Sequence, residues 1–314
     1  MTASTLSRAT YLSSADVKPL AQRSNLWGAL LVGHCYGVVV GAIAIYAAWP
    51  NPLTFILAVM LIGSRQLGFA ILMHESAHRA LFDNRKVNDW VGTWLCGRPI
   101  LTDMEAYRQY HLPHHKYTQT ERDPDLVLSK PFPTTRGSLK RKFWRDLSGQ
   151  TGAKLRISQL KQALRKFGDK AASERSSQAF NGPQVGAALA VNAVLALVMG
   201  LVGEWWWWLA FWLLPLLTWF QFVVRLRNIA EHGVVERSNN PLRNVRTTMA
   251  NPLIAHFVAP YWVNYHLEHH LAMHVPCRNL PKLHELLLRR GHGDDMMIGS
   301  SYWQVLKTAS SRPA

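Results

Sequence analysis

The chain has 314 residues, of which 48% are hydrophobic, and it carries a formal net charge of +16 because 35 Lys and Arg outnumber 19 Asp and Glu. A soluble nucleic-acid-binding protein could carry that charge, but it would not also contain uncharged stretches long enough to cross a membrane. The three cysteines, Cys35, Cys96 and Cys277, are dispersed, so they form neither a disulfide framework nor a CxxC zinc pattern.

Uncharged stretches predict two pairs of membrane-spanning helices. Residues 1–26 are polar and lack the features of a signal peptide. Residues 27–64 contain no Lys, Arg, Asp or Glu, and Glu204 is the only charge in 185–224. A spanning helix needs about 20 residues, so each stretch holds two helices. The tryptophan run Trp205–Trp208 is expected at the far membrane interface. The predicted spans are about 27–48, 53–73, 185–203 and 205–224.

A basic segment, residues 79–184, separates the two helix pairs, and it is richest in Lys and Arg from 136 to 181. We expect this surface to contact anionic lipid headgroups or an acidic redox partner, with nucleic-acid binding as the alternative. The short loops near 49–52 and 203–204 contain no Lys or Arg. The positive-inside rule therefore predicts that both termini and the basic segment are cytoplasmic.

Four clusters with helical spacing contain nine of the 14 histidines. Residues three or four positions apart lie on one helix face, so each cluster would point its imidazoles in one direction. Asn228 stands four residues before His232 and would share its face. The second cluster is expected to open a helix, because Pro113 is tolerated in a first turn. The clustered histidines are His74, His78, His111, His114, His115, His232, His266, His269 and His270.

These clusters predict a dinuclear metal site, because nine imidazoles offer more nitrogen than one ion can use. A lone histidine on an apolar helix is usually an ordinary core residue, and a single HxxxH pattern is weak evidence. The joint occurrence of four clusters is much more specific. Neutral imidazole suits zinc, copper, iron and nickel, so the residues alone do not identify the metal. Outside the clusters, His284 is expected on the surface.

At these clusters the chain resembles the membrane fatty acid desaturase and hydroxylase superfamily. The resemblance covers residues 27–290 and includes the run His115-Lys116-Tyr117-Thr118-Gln119, the sequence Asp123-Pro124-Asp125, and the Asn228/His232 pair. It implies a non-haem di-iron centre that activates dioxygen to attack an unactivated C–H bond. It also implies that the nine clustered histidines are the iron ligands and that Asn228 lies near one iron, through a water.

Five carboxylates near the clusters are candidates for orienting the ligands. A metal-bound histidine usually donates a hydrogen bond from its second ring N–H, and a carboxylate can accept it. The alternative for each is an ordinary solvated carboxylate. The candidates are Glu75, Glu231, Glu268, Asp123 and Asp125.

Within the superfamily, the HxxxH form of the first cluster resembles acyl-lipid desaturases and carotenoid oxygenases. No His-Pro-Gly-Gly sequence is present, so we expect no fused cytochrome b5 domain. Electrons are then expected from a separate donor, a ferredoxin or a cytochrome b5-like protein with its reductase. The predicted activity is desaturation of a lipid acyl chain, which needs dioxygen and two electrons. The alternatives are hydroxylation or ketolation of a lipid or carotenoid and, from another class, metal transport or sensing.

The sequence therefore predicts an all-α integral membrane protein with four transmembrane helices and a cytosolic helical cap that holds the metal site. The expected organisation is a cytosolic N-terminal segment, a membrane domain at 27–290 and a loosely ordered C-terminal tail at 291–314. The cap is expected at 74–184 and 225–290. No nucleic acid is expected as a partner.

Overall fold

Helices form nearly all of the regular structure. The computed structural model describes residues 10–165 and 182–313, so part of the predicted N-terminal segment, the run 166–181 with Lys166, and Ala314 lie outside the described residues. The helices are α1 (Ser14–Leu20), α2 (Asn25–Ala48), α3 (Pro52–Ala77), α4 (Arg85–Val91), α5 (Met104–Tyr117), α6 (Leu126–Ser129), α7 (Arg136–Leu147), α8 (Gln150–Arg165), α9 (Gly182–Val202), α10 (Leu214–Leu217), α11 (Trp219–His232), α12 (Pro252–Phe257), α13 (His266–Leu271), α14 (Leu280–Arg289) and α15 (Tyr302–Ala309).

Four helical segments of the described chain are long and apolar enough to cross a membrane. They are α2, α3, residues Gln184–Val202 of α9, and the segment Leu209–His232, in which a π-helical turn leads through α10 into α11. The predicted all-α fold with four spanning helices is therefore confirmed. Their hydrophobicity explains both the helical form and the membrane, because a helix satisfies its own backbone polar groups in lipid.

The second span, α3, is the central helix of the bundle and packs against both α2 and α11. It begins where the Asn51 side chain accepts hydrogen bonds from the Leu53 and Thr54 N–H groups, at 3.0 and 3.1 Å. Arg65 and Gln66 do not end it, because both are buried against partners from other segments. Gln66 donates to the Trp212 carbonyl at 2.7 Å, and Arg65 donates to the His256 carbonyl.

Two spans continue beyond the ends expected from hydrophobicity. Helix α3 runs to Ala77 and α11 runs to His232, so the helical backbone passes out of the apolar stretch and into two histidine clusters. The cost of polar residues in these last turns is reduced because they face neighbouring helices of the protein. Rigid helix ends therefore carry the first cluster and the Asn228/His232 pair.

The turn between α9 and the fourth span is tightly packed at a glycine. A Cβ atom on Gly203 would lie 2.2 Å from the Trp207 ring, so a larger residue there would force the ring to move. Trp205 is 78% exposed, whereas Trp206, Trp207 and Trp208 partly pack against the core. The indole groups are thus arranged around a tight turn at the end of the bundle opposite the histidines.

The expectation of a loosely ordered tail after Gly291 is wrong for the described residues. Strand β2 (Ile298–Gly299) pairs in parallel with β1 (Thr247–Thr248), and α15 packs on α11. Helix α15 buries Tyr302, Val305 and Ala309, whose spacing forms one apolar face. The partner of this short apolar face is α11, which is distant in the sequence, so the contact could not be predicted from the tail alone.

Candidate metal centre

Four helices bring the clustered histidines together. Helix α3 supplies His74 in its last turn and His78 at its C-cap, while α11 supplies His232 as its final residue. The second cluster lies in α5 and the third in α13. Each cluster lies on a helix that ends or begins beside the others, which makes the convergence of imidazoles possible.

Helix α5 differs from the sequence expectation. It begins at Met104, after the N-cap Asp103 accepts hydrogen bonds from the Glu105 and Ala106 N–H groups. Pro113 therefore lies inside the helix and not in its first turn. The polar N-cap starts the helix well before the histidines, so the second cluster is in the C-terminal half of α5.

The ring nitrogens form two groups, and within each group they lie within 4.8 Å of one another. All nine histidines singled out from the sequence belong to one of the two groups. The shortest Nε2–Nε2 distances are 2.9 Å, between His111 and His115 in the first group and between His232 and His266 in the second. The first group is His74, His78, His111, His115 and His269, and the second is His114, His232, His266 and His270.

Burial favours the neutral form of several of these imidazoles. Desolvation lowers the pKa of His78 to about 3, and Arg108 contributes in the same direction. Desolvation, followed by the neighbouring histidines, also lowers the pKa values of His111, His115 and His270 well below the usual range. Neutral imidazole is the form that binds a metal, so no proton need be displaced at neutral pH.

Unpartnered ring nitrogens show that the donor set fits metal ions. Among the described residues, Nε2 of His74 and Nε2 of His78 are buried without a hydrogen-bond partner. A buried polar atom without a partner costs about 1–3 kcal/mol. Donors that share one ion at about 2 Å are up to about 4 Å apart, which is close to the observed spacing. An ion held by the first group would use the Nε2 lone pairs of His74 and His78, which otherwise have no acceptor role.

Asp123 is the carboxylate best placed to orient a clustered histidine. Its Oδ1 lies 2.8 Å from His114 Nδ1, and both side chains are buried. Asp125 Oδ2 is 3.7 Å from the same nitrogen, and Asp125 accepts a hydrogen bond from the Tyr110 hydroxyl. With Nδ1 donating to Asp123, the free lone pair of His114 is on Nε2, as metal binding requires.

Glu231 and Glu75 approach histidines less closely. Glu231 Oε2 is 3.4 Å from His266 Nε2, while Oε1 accepts a hydrogen bond from Arg227 at 2.6 Å. Glu75 Oε1 is 4.0 Å from His74 Nδ1, beyond hydrogen-bonding distance, and its other oxygen accepts a backbone N–H at 2.8 Å. Both carboxylates are buried, so neither is the solvated group that the sequence left open.

Glu268 contacts no clustered histidine through a hydrogen bond; its partners among the described residues are His284 and Thr247. His284 Nδ1 lies 2.5 Å from Glu268 Oε1, and Thr247 donates to the other oxygen. His284 is only 7% exposed, so the expectation that it lies on the surface is wrong. The amphipathic helix α14 turns this residue inward together with Leu283 and Leu287.

Sequence reasoning missed two further polar contacts of the centre. Thr118 Oγ1 donates to the His114 carbonyl at 2.7 Å and lies 3.3 Å from His270 Nδ1. Gln119 donates through its side chain to the His232 carbonyl at 3.3 Å. Both belong to the run after the second cluster, and the i,i+4 spacing of Thr118 from His114 was a signal for its contact.

A cavity of about 220 Å³ opens beside the histidines. Asn228 lines it, together with His111, His114, His232 and His266. The remaining wall combines apolar side chains of α3 and α11 with polar side chains of α5 and α8, including Leu67, Ala70, Met73, Phe220, Val224, Tyr107 and Arg156. A chain-like apolar molecule could therefore lie directly against both groups of imidazoles.

Comparison with known proteins agrees with this arrangement. The fatty acid desaturase family model matches residues 47–299, which include all nine clustered histidines. Dihydrorhizobitoxine desaturase of Bradyrhizobium elkanii is 28% identical over 278 residues, which cover 84% of this chain and 76% of that protein. The sn-1 oleoyl-lipid 12-desaturase of Synechocystis is 25% identical over 313 residues, covering 92% of this chain and 83% of its relative. The chloroplastic omega-6 fatty acid desaturase of Spinacia oleracea is 23% identical over 302 residues, which cover 91% of this chain and 64% of that protein.

Proposed function

The chain belongs to the fatty acid desaturase family and is an oxidoreductase of the desaturase type; we propose that it introduces a double bond into a lipid acyl chain at a di-iron centre. The observation that carries this proposal is the convergence of nine buried imidazoles on two points beside one cavity. The three relatives described above are named as desaturases, which favours desaturation over hydroxylation or ketolation.

The two groups of imidazoles would hold the two ions. Five histidines belong to the first group and four to the second, where Asn228 is close enough to line the same cavity. The smaller group leaves room for a further ligand, and Asn228 would occupy that place through a water. When bound, the iron ions would supply the activation of dioxygen needed to remove hydrogen from an unreactive methylene group.

The protein side chains bind and orient the partners of this reaction. The apolar side chains of α3 and α11 would hold the acyl chain by excluding water, since apolar surface gains free energy on leaving water. Asp123 fixes the ring of His114, and Thr118 contacts both His114 and His270. Rigid placement of this kind selects which methylene lies next to the imidazoles.

The charge distribution supports a cytoplasmic location for the centre and both termini. The histidine-bearing ends of α3 and α11 are on the same side of the bundle as the basic segment, and the opposite loops contain no Lys or Arg. A separate electron donor, a ferredoxin or a cytochrome b5-like protein with its reductase, would then reach the centre from the cytoplasm.

Expression in a bacterium that makes only monounsaturated lipids, followed by mass spectrometry of total lipids, tests the proposal. We expect species two mass units lighter than their precursors and about two iron ions per purified chain. Matched cells that express His266→Ala should lack these species. Retention of the product by that variant, or tightly bound zinc in place of iron, would contradict the proposal.

A further inference from the structure

Arg156 lies where two cavities of the protein meet. It lines the cavity beside the histidines and also a second cavity of about 250 Å³ between α8 and α9. The wall of this second cavity is almost entirely apolar and includes Leu101, Leu160 and Leu189. As one of the basic residues at 136–181, Arg156 was expected on a surface that contacts headgroups or a redox partner, but it packs inward.

The guanidinium of Arg156 has no acidic partner among the described residues. It donates to the Leu101 carbonyl at 2.9 Å and to the Gln159 side-chain oxygen at 2.8 Å. Its Nε is buried without a hydrogen-bond partner. Desolvation lowers the pKa of Arg156 to about 10, and no carboxylate offsets that effect. The charge is therefore held in place by neutral groups only.

The other charged groups that line the histidine-side cavity already have polar partners. Arg227 and Glu231 form an ion pair at 2.6 Å. Asp125 accepts the hydrogen bond from Tyr110 and lies near His114. Of the two cations that line this cavity in the described residues, Arg227 is paired with Glu231 and Arg156 has no counter-charge. Arg156 is half-buried, with its Nε fully removed from water. Partial burial of a cation without a counter-charge is costly, which indicates that a ligand supplies the missing anion.

We propose that Arg156 binds an oxyanion of the substrate, a carboxylate or a phosphate, where the two cavities meet. Guanidinium groups suit such oxyanions because they offer several fixed donors to two oxygens. The attached acyl chain would extend along the apolar wall towards the imidazoles. This inference rests on the proposed function and narrows its substrate class to acyl compounds with an anionic end. It also implies that the distance from Arg156 to the centre determines which carbon reacts.

A binding experiment without turnover tests this proposal. The purified, iron-loaded protein in neutral maltoside micelles is titrated with oleate, methyl oleate and oleoyl lysophosphatidate, and affinity is taken from the ligand-dependent rise in melting temperature. The variant is Arg156→Gln, and the control is Lys154→Gln, which changes an exposed cation on the same helix. Loss of a charge-assisted hydrogen bond should weaken binding of the anionic ligand by roughly 10- to 100-fold in Arg156→Gln. Binding of methyl oleate should be unchanged, and Lys154→Gln should match the wild type.

The outcomes separate the sources of the anion and the competing explanations. A loss confined to oleate assigns a free carboxylate, and a loss confined to lysophosphatidate assigns a phosphate headgroup. Equal weakening of all three ligands would show that Arg156 only supports the fold around Leu101 and would overturn the proposal, as would unchanged affinities. Arg156→Lys should retain part of the preference for the anion over the ester. If the protein binds the anionic ligands selectively but forms no desaturated product, the proposed desaturation is wrong while the role of Arg156 stands. The two proposals can therefore fail independently.

Discussion

His284 Nδ1 lies 2.5 Å from Glu268 Oε1 in the interior of the protein, which ties α14 to the helix that carries the third histidine cluster. Thr247 donates to the second oxygen of the same carboxylate. Glu268 is adjacent to His269 in the sequence, so these two contacts fix the position of α13 beside the histidine groups. The pair thus links the C-terminal part of the chain to the ligand-bearing helix.

His284→Ala is therefore expected to lower both stability and iron content. Removing the imidazole leaves the buried Glu268 carboxylate short of a partner, which costs about 1–3 kcal/mol. Thermal unfolding and metal analysis of the purified variant measure the effect. Glu285→Ala, which changes an exposed neighbour on the same helix, should match the wild type. Wild-type melting of His284→Ala would show that the pair does not support α13.

His232→Ala is expected to abolish desaturation and to lower bound iron as severely as His270→Ala. Both residues belong to the four-histidine group, so loss of either leaves three imidazoles to hold the ion. Product analysis and iron content of membranes that express each variant provide the measurement. His292→Ala, outside both groups, serves as the control, and an active His232→Ala protein would mean that this histidine is structural.

Asp123→Asn should weaken iron binding by roughly 10- to 100-fold while the protein remains folded. The amide keeps one acceptor oxygen for a nearby backbone N–H group, but it loses the second acceptor and the charge that favours the His114 Nδ1–H tautomer. Competition with a graded series of iron chelators measures the affinity. Glu121→Gln removes an exposed carboxylate from the same loop and should have no effect.

A reporter that is active only in the cytoplasm should be active when fused after Ala314. The Lys/Arg asymmetry between the two sides of the bundle predicts this orientation. A reporter that needs the opposite compartment, fused at the same position, is the matched control. Activity of the second reporter alone would reverse the orientation and place the centre on the other face of the membrane.

Neutralising Lys140, Arg141, Lys142 and Arg145 together should raise the apparent KM for the electron donor and flatten its dependence on salt. These residues lie on α7, where Lys140, Arg141 and Arg145 are exposed and Lys142 is half-buried. Complementary charge raises association rates by about 10- to 1000-fold at low ionic strength. Steady-state kinetics with purified donor measure the change.

Neutralising the exposed pair Arg85 and Lys86 is the control for a general loss of charge. Unchanged donor kinetics in the α7 variant, combined with weaker binding of the protein's basic surface to anionic liposomes, would assign α7 to the headgroups instead.

The sequence alone was sufficient to predict the class of fold and to single out the nine histidines that the fold brings into two groups. Uncharged stretches of spanning length impose helices because lipid cannot satisfy a free backbone. Spacings of three and four residues place imidazoles on one face of any helix, whatever its surroundings. These local regularities need no knowledge of distant contacts, which is why His74, His232 and His270 could be singled out together.

Tertiary structure decided how the polar residues are used. Whether a histidine is exposed or buried depends on which helix packs against it. The spacing within α14 therefore could not show that His284 is buried. The division of the histidines into groups of five and four depends on the crossing of α3, α5, α11 and α13. The inward position of Arg156 follows from the packing of α8 beside Leu101, and its charge alone suggested a surface role. Long-range packing sets the environment of each charge, and the environment determines its function.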